Sequence, residues 1–451
     1  MFVDSYKLTL NHVTFFAVPI LQDQIVQWIN EKQVQHAVVA GAGFVGLEMV
    51  EQLVHRNLQV TLVEMMPQIL GPMDEEMAAY LHRDLEERGV QVIVGDGIRE
   101  FQPDPANPDV ASLLKLQSGR VLPPAQLTIL GLGVRPDTAV VKAAGIATTP
   151  RGHIVVDEYL HTNTDAVWAV GDAVEVNNPI LPDGQKWGVP LAGPANRQGR
   201  MVADNILLSK DKRKKYKGTY AVSVVRSFDL YAACVGLNEK FLRSQKIAYQ
   251  TVHIHPNSHA GFYPGAQQIH LKLIFDVTTG RIYGAQAVGQ DGVEKRIDVI
   301  ATALQGGLTV RDLAELELCY APPVGSAKDP VNYAGMAAEN IMDGLVSQVE
   351  WHELDALVKD PASVFVLDVR GKGEIERTGN IAEHAHNIPL NDLRSRLEEV
   401  PRDKKIVVSC MSGQRAYYAC RILLQNGFAD VVNVGGAYKT LQPTHPHALP
   451  N

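Results

Sequence analysis

The chain has 451 residues, 46% of them apolar and 20% charged, which suits a globular protein large enough for several domains. A formal net charge of −8 excludes the basic excess of a nucleic-acid binder, and the one basic cluster, KDKRKKYK at 210–217, reads as a solvated connector. Four cysteines (Cys234, Cys319, Cys410, Cys420) are too few and too scattered for a disulfide framework or zinc site. No apolar run approaches the roughly 18 residues of a membrane span; a reducing cytoplasm is the expected location.

In chain order, VTFFAVPIL (13–21) is the first apolar stretch. Only Lys7 charges the segment before it and no small-residue cleavage site follows, so it reads as strand and linker rather than a secretory signal. Residues 36–64, HAVVAGAGFVGLEMVEQLVHRNLQVTLVE, read as a strand (36–40), a helix (47–56) and a second strand (59–63). Gly41, Gly43 and Gly46 form G-x-G-x-x-G between strand and helix, with Glu64 placed 18 residues after the last glycine. Gly41 allows the tight turn, Gly43 lets a pyrophosphate approach the backbone, and Gly46 lets helix and strand pack, with the phosphates at the helix N-terminus. Glu64 would accept both ribose hydroxyls of NAD, and no arginine or lysine in 65–70 welcomes a 2′-phosphate, so NAD(H) is favoured over NADP(H).

A helix over 80–88 and strands over 90–94 and 127–130 follow. The last strand ends in GLGVRP (131–136), where Gly131 and Gly133 could let a ligand lie against the backbone; a Gly-Pro loop without a ligand is the alternative. HTNTDAVWAVGDAV (161–174) reads as an apolar strand over 166–170 broken at Gly171-Asp172. From about 218 the pattern becomes paired strands (220–225, 248–254, 270–276, 282–289) followed by a helix (293–305). His253, His255 and His259 lack an acid or cysteine to complete a metal site and read as a strand-edge histidine pair, so no metal is expected. Cys319 is expected to be a buried apolar residue.

Residues 348–440 alternate strands (364–368, 405–409, 431–434) with a helix (417–427). Between strand and helix lies Cys410-Met-Ser-Gly-Gln-Arg415, which is C-x-x-G-x-R. Converging amides, the helix dipole and Arg415 would favour a thiolate or persulfide on Cys410, and Gly413 lets the loop curl so that its amides point inward. The motif resembles the active-site loop of rhodaneses, a likeness extended by LDVR (367–370), NIPL (387–390) and GGAY (435–438). Phosphatases separate cysteine and arginine by one residue more; the tighter ring favours sulfur transfer, with a phosphatase or a structural cysteine as alternatives. Cys420, inside the helix, is expected in the core.

The chain as a whole resembles the flavin-dependent pyridine nucleotide-disulfide oxidoreductases, and within them the coenzyme A disulfide and persulfide reductases carrying a C-terminal rhodanese domain. The motifs, in order, are GAGFVGLE (41–48), LGVRPD (132–137), VWAVGDA (167–173), PLAGPANRQGR (190–200), SHAGFYPGA (258–266), KRIDVIATA (295–303) and YAPPVGSAKDPVN (320–332). The resemblance implies an α/β multidomain protein: a Rossmann-like NAD domain (34–150) inserted in a partial FAD domain (1–33 and 151–217), an α+β dimerisation domain (218–345) and a rhodanese α/β domain (348–451). It adds Glu48 to the NAD-binding set. Asp172 would bond the ribityl chain of FAD beside Gly171, while Pro190, Ala192 and Ala195 would lie in a loop along the flavin edge. Tyr263 and Tyr320 would be phenol donors near a substrate thiol at a homodimer interface. The family's first glycine loop and redox cysteine, which precede a linker matched by 10–21, are expected to be missing, leaving a half-site for FAD. Three readings follow: an NADH-dependent, FAD-linked reductase of coenzyme A disulfide, coenzyme A persulfide or related polysulfides with a rhodanese domain, its small-molecule partner a thiol or persulfide of coenzyme A or glutathione type; a sulfurtransferase on a dimeric scaffold; and a non-enzymatic NAD-binding assembly module. None involves nucleic acid or a membrane.

Overall fold

The computed structural model describes residues 13–15, 19–181 and 184–444, which fall into two compact units. One takes in the chain up to Gly131 with Val224–Ala233 and everything from Asn238; the other takes in Leu132–Ser223 with Cys234–Leu237.

The first unit begins with strand β1 (Val13–Phe15) and helix α1 (Pro19–Lys32), where strand and linker were expected; residues 1–12 and 16–18 lie outside the described residues. A βαβ unit follows: β2 (His36–Ala40), α2 (Phe44–His55) and β3 (Gln59–Val63). Then come α3 (Glu75–Glu87), β4 (Gln91–Ile93), a hairpin of β5 (Ile98–Pro103) and β6 (Ser112–Leu116), and β7 (Leu127–Leu130). The strands form a parallel sheet in the order β1-β7-β2-β3-β4. Four of the five residues in each of β2 and β3 are buried, the run expected of strands covered on both faces.

The second unit holds α4 (Ala139–Ala143), a small sheet in the order β10-β9-β8 from β8 (Ile154–Val155), β9 (Val174–Asn177) and β10 (Lys186–Trp187), and α5 (Ala192–Leu207). The strand expected over 166–170 does not form. His161 and Trp168 make an isolated bridge and Ala166 adopts a left-handed φ of 61°, so this stretch is a turn. The loop expected over 190–200 is instead the start of α5.

The antiparallel sheet β11-β12-β15-β14-β13 is built from β11 (Ser223–Ser227), β12 (Leu230–Gly236), β13 (Gln250–Ile254), β14 (Ile269–Phe275) and β15 (Ile282–Gly289), with α6 (Glu239–Ser244) after β12. Helix α7 (Val293–Gly306) stops at Gly307, whose left-handed backbone ends it. Helices α8 (Val310–Glu315) and α9 (Pro330–Met342) each start with a capping box, at Thr309 and Asp329.

The C-terminal part is a second parallel sheet, β16-β20-β19-β17-β18. Its elements are β16 (Ser347–Val349), α10 (Trp351–Leu357), β17 (Val364–Asp368), α11 (Lys372–Thr378), β18 (His386–Asn387), β19 (Lys405–Ser409), α12 (Gln414–Gln425), β20 (Val431–Val434) and α13 (Ala437–Thr444). Two apolar clusters flank it, one containing Leu367, Val408, Cys420 and Leu423, the other Val366, Val407, Val432 and Trp351. That two-sided burial is why its central strands read as continuous apolar runs.

Candidate active site and cofactor loops

The glycine loop joins β2 to α2. A Cβ on Gly46 would sit 1.9 Å from the carbonyl oxygen of Gly41, so only glycine lets the helix start this close to the turn. A Cβ on Gly43 would meet nothing within 4 Å, which leaves open space above the loop. Glu64, at the end of β3, accepts hydrogen bonds from the Ala42 and Met66 amides, both at 2.8 Å. Each carboxylate oxygen keeps a further lone pair. These residues fit a dinucleotide: an open glycine turn at a helix N-terminus, with an anchored acid beside it. Glu48 is exposed on α2, and Gly131 follows β7, its amide bonded to Ala40 O at 2.7 Å.

In the other unit, Gly133 has a φ of 84° with open space at its Cα. Gly171 has a φ of 80°, its amide donates to Gln198 Oε1 at 2.7 Å, and its Cα faces the Ala195 methyl. Gly171, Asp172 and the N-terminal turn of α5 are thereby brought together. Asp172, Pro190 and Ala192 are exposed. An exposed aspartate beside a helix N-terminal turn fits a polyhydroxyl chain.

The sulfur loop runs from β19 into α12. Cys410 is fully buried, and its sulfur accepts from the Gly413 amide at 3.2 Å. Gly413 has a φ of 88°, which a side chain would resist, and that conformation turns the amide inward. Arg415, expected to favour the Cys410 thiolate, pairs its guanidinium with both oxygens of Glu374 on α11, at 2.6 and 2.7 Å, while Cys410 also acts on its charge. This pairing, against some burial, holds the Glu374 carboxyl down at about 2. LDVR is structural: buried Arg370 clasps Asp368 and donates to Thr378 Oγ1 and the Gly379 carbonyl.

Sequence reasoning missed a buried ionic cluster. Lys272, in the middle of β14, has its ammonium among Asp74, Glu76 and Glu239, at 2.9 Å from Asp74 and 2.5 Å from Glu76. Burial opposes its charge, but the three carboxylates overcome this and hold it well above the ordinary lysine value. Burial likewise opposes the charge on Glu76 and Glu239, yet Lys272 keeps Glu76 well below the carboxylate range and Glu239 at about 2. These three carboxylates are the one candidate metal cluster among the described residues, and a lysine already supplies the cation. The available signal was a lysine inside the apolar strand IHLKLIF.

The histidines belong to packed contacts. His253 Nε2 lies 2.9 Å from Glu76, His255 Nδ1 lies 2.8 Å from His270 Nδ1, and His255 Nε2 meets the Gly436 carbonyl at 3.1 Å. Arg296, also overlooked, ties three sequence motifs together by bonding the Ser258 carbonyl at 2.8 Å and Asp329 at 3.0 Å. Those ties hold the two tyrosine loops. Tyr263 and Tyr320 are both exposed, and Ala260 in the first loop donates to Gly325 O in the second at 2.9 Å. Cys319 is exposed rather than buried, because it precedes Tyr320 on an open loop; Cys420 is buried as expected.

With a NAD-type glycine loop, a dimerisation-type sheet and a rhodanese-type loop in one chain, comparison with known proteins gives a consistent result. Residues 11–199 match the pyridine nucleotide-disulphide oxidoreductase family, 222–330 its dimerisation domain, and 350–442 the rhodanese-like domain. The chain belongs to the pyridine nucleotide-disulphide oxidoreductase family, fused to a rhodanese-like domain. Membership makes it an enzyme of oxidoreductase type and implies FAD and NAD(H) binding. Among curated relatives, the coenzyme A disulfide reductase of Staphylococcus haemolyticus is 31% identical over 324 residues, 71% of this chain and 69% of that one. Among solved structures, reduced Bacillus anthracis CoADR-RHD is 44% identical with a TM-score of 0.92, covering 98% of this chain and 76% of that one. The NAD-dependent persulfide reductase from A. fulgidus is 35% identical with a TM-score of 0.87, covering 96% and 76%. Among the described residues no helix is long and apolar enough to cross a membrane.

Proposed function

We propose that the chain is an NADH-dependent, FAD-linked reductase of coenzyme A disulfide, coenzyme A persulfide or a related polysulfide, with Cys410 as the sulfur carrier of its rhodanese domain. The observation that carries this reading is a sulfur cradle and an open dinucleotide loop in one chain. Gly41, Gly43, Gly46, Glu48, Glu64, Gly131 and Gly133 hold NAD(H), and Gly171, Asp172, Pro190, Ala192 and Ala195 hold part of FAD. When bound, the two cofactors supply and relay a hydride's electrons to sulfur. The Gly413 amide stabilises charge on the Cys410 sulfur, Arg415 and Glu374 brace that loop, and Tyr263 and Tyr320 donate phenol hydrogens to a substrate thiolate in a homodimer. The domain limits that accompany this reading are 34–150 for NAD(H), 1–33 with 151–217 for FAD, 218–345 for dimerisation and 348–451 for rhodanese. A cytoplasmic location accompanies it.

A second reading, a sulfurtransferase on a dimeric reductase-like scaffold, is favoured by the cysteines. The Gly413 amide bonds the Cys410 sulfur, whereas Cys234 meets a serine hydroxyl, Cys420 is core and Cys319 is exposed. The visible spectrum of the purified chain with added FAD separates the two. A flavin band that survives desalting and bleaches with NADH supports the reductase. No retained flavin, with persulfide turnover lost in Cys410→Ala, supports the sulfurtransferase.

A further inference from the structure

Helix α13, which closes the sulfur domain, starts from a strained turn. Ala437, its first residue, is fully buried with a left-handed φ of 52°, and Gly436 before it has a φ of 64°. A side chain resists that region, so Ala437 keeps it where its surroundings hold it there. Within the domain the turn is tied on both flanks. Gly435 donates to Val349 O at 3.0 Å, Tyr438 to Cys410 O at 3.1 Å and Lys439 to Met411 O at 3.0 Å.

The same turn supports the sulfur loop. The Gly413 carbonyl accepts from the Tyr417 amide at 2.9 Å, and a Cβ on Gly413 would lie 3.5 Å from Gly436 N and 3.7 Å from Gly436 Cα. On its other side the loop borders a cavity of about 140 Å³, lined by Tyr333 of α9, His253 of β13, Gly413 and Gly436. Gly436 is therefore the packed side of the loop and the cavity the open one, towards which the loop can yield.

The hold on Gly436 comes from outside the domain. His255, which follows β13, places Nε2 3.1 Å from the Gly436 carbonyl and 3.0 Å from Thr440 Oγ1. Burial first, then the charges of His270, His253 and Lys439, depresses this ring well below the ordinary histidine value, so it is neutral. A carbonyl can only accept, so Nε2 carries the hydrogen and Nδ1 accepts from His270 Nδ1 at 2.8 Å. His270 in turn stacks on Tyr80 of α3 at 3.8 Å. Gln268 adds a second tie: its side chain accepts from Lys439 Nζ and donates to the His255 carbonyl at 2.9 Å.

We propose that His255 is a positioning residue for the sulfur site: by holding the Gly436 carbonyl it keeps the strained turn against Gly413, and so keeps the Gly413 amide on the Cys410 sulfur. The inference rests on Cys410 being a sulfur carrier. The antiparallel sheet thereby takes part in sulfur transfer without touching the reacting atoms. The step it serves can be read with thiosulfate, a donor whose charge is constant across the pH range used. The Cys410 thiolate attacks the outer sulfur, a new S–S bond forms, and the old one breaks with its electron pair on sulfite. Cysteine thiolate plus thiosulfate gives cysteine persulfide anion plus sulfite; total charge is unchanged and no oxidant or reductant is consumed.

The test follows the initial rate of sulfur loading of the full chain, without oxygen, by intact-protein mass, with Cys410→Ala as the blank. Thiosulfate is the first donor and glutathione persulfide the second. His255→Phe, which keeps a ring and removes the donor, should load roughly three- to ten-fold more slowly at pH 7, and the deficit should close towards pH 10, where the thiolate forms without help. His255→Gln, whose amide can donate to the same carbonyl, should load like the parent. Gln268→Ala, which frees Lys439 and leaves the His255 ring in place, should lose rate with the same pH dependence. Ala437→Gly, which removes the strain at its source, should recover most of the loss in the His255→Phe background. Arg415, Tyr333 and Cys420, which also interact electrostatically with Cys410, are unchanged in every variant. With the parent loading normally, three results overturn the positioning role and leave Cys410 as carrier: unchanged rates in His255→Phe and Gln268→Ala, equal losses in His255→Phe and His255→Gln, or a deficit the same at pH 7 and 10. A parent chain that gains no sulfur from either donor overturns the carrier reading and the positioning role with it.

Discussion

Replacing Lys272 by methionine tests the buried cluster, because it keeps the side chain's length and removes its charge. The remaining partners are unequal to the loss. Asp74 retains Gln286 Nε2 at 2.7 Å and the Glu239 amide, Glu76 retains His253, and Glu239 retains Arg243 at 2.6 Å. Three carboxylates, each no more than 2% exposed, would be left with their mutual repulsion and no central cation. Removing one partner of a buried ion pair costs about 3–5 kcal/mol. At roughly 2–4 °C per kcal/mol for a unit of this size, the thermal midpoint should fall by about 6–20 °C. The pH dependence gives a sharper check. In the parent, Glu76 and Glu239 are depressed below 4.5, so their contribution is complete above that value and fades as pH falls towards about 2. Without Lys272, burial dominates and raises both carboxyls above 4.5, so the contribution is present at low pH and lost as pH rises. Calorimetry from pH 5 to 8 should show the variant's midpoint falling with pH while these groups leave the parent's flat. A drop under about 2 °C, or a variant that gains stability with rising pH, would refute the argument.

Gly46→Ala should weaken both folding and NADH binding, because its methyl meets the Gly41 carbonyl. Gly43→Ala, with open space around it, should leave the thermal midpoint unchanged and still reduce NADH affinity ten-fold or more in a fluorescence titration. The His255–His270 pair faces Tyr80 of α3 and Thr440 and Lys439 of α13; burial first, then the neighbouring charges, depress both rings, His270 to about 3. Neutral in the fold and titrating near 6.5 when unfolded, the pair contributes stability that is present above 6.5 and lost as pH falls towards about 3; a midpoint flat from pH 7 to 5 in urea would contradict this. For Arg415 and Glu374, a double-mutant cycle should give a coupling of about 1 kcal/mol or less at pH 7. Because Glu374 is depressed to about 2, that coupling should persist above 4.5 and disappear towards about 2.

The parts of the protein governed by local rules were readable from the sequence. The βαβ unit, the central strands of the rhodanese sheet and the C-x-x-G-x-R loop depend on short-range periodicity and on glycines whose geometry is set within a few residues. The turn at 161–170 misled because Val167–Val170 is apolar enough for a strand, whereas Ala166 turns left-handed and the chain closes on itself between His161 and Trp168. PLAGPANRQGR reads as a loop because it holds two glycines and two prolines; the second proline, Pro194, falls in the first turn of α5, where a missing N–H costs nothing. Arg415 and Glu374 are 41 residues apart, Lys272 and Glu76 are 196 apart, and no pattern within either segment specifies the other.

Those long-range pairs bear on how the domains act together. Helix α3, from the dinucleotide sheet, sends Glu76 to Lys272 and His253, Tyr80 to the Lys439 carbonyl at 2.7 Å, and Arg83 to the Gln442 carbonyl at 3.0 Å. It therefore touches both the antiparallel sheet and the helix α13 that closes the sulfur domain. His253 stands where these contacts meet: one ring nitrogen faces the carboxylate cluster, and the residue lines the cavity beside the sulfur loop. An exposed ion pair would be a weak fastener between domains, and a purely apolar one would leave His253 free to rotate. A buried, fully charged cluster instead holds the His253 ring against Glu76. On this argument the cluster clamps α3 to β13 and β14, and Lys272→Met, even where it still folds, should show faster amide exchange in α3 than the parent; unchanged exchange there would contradict it.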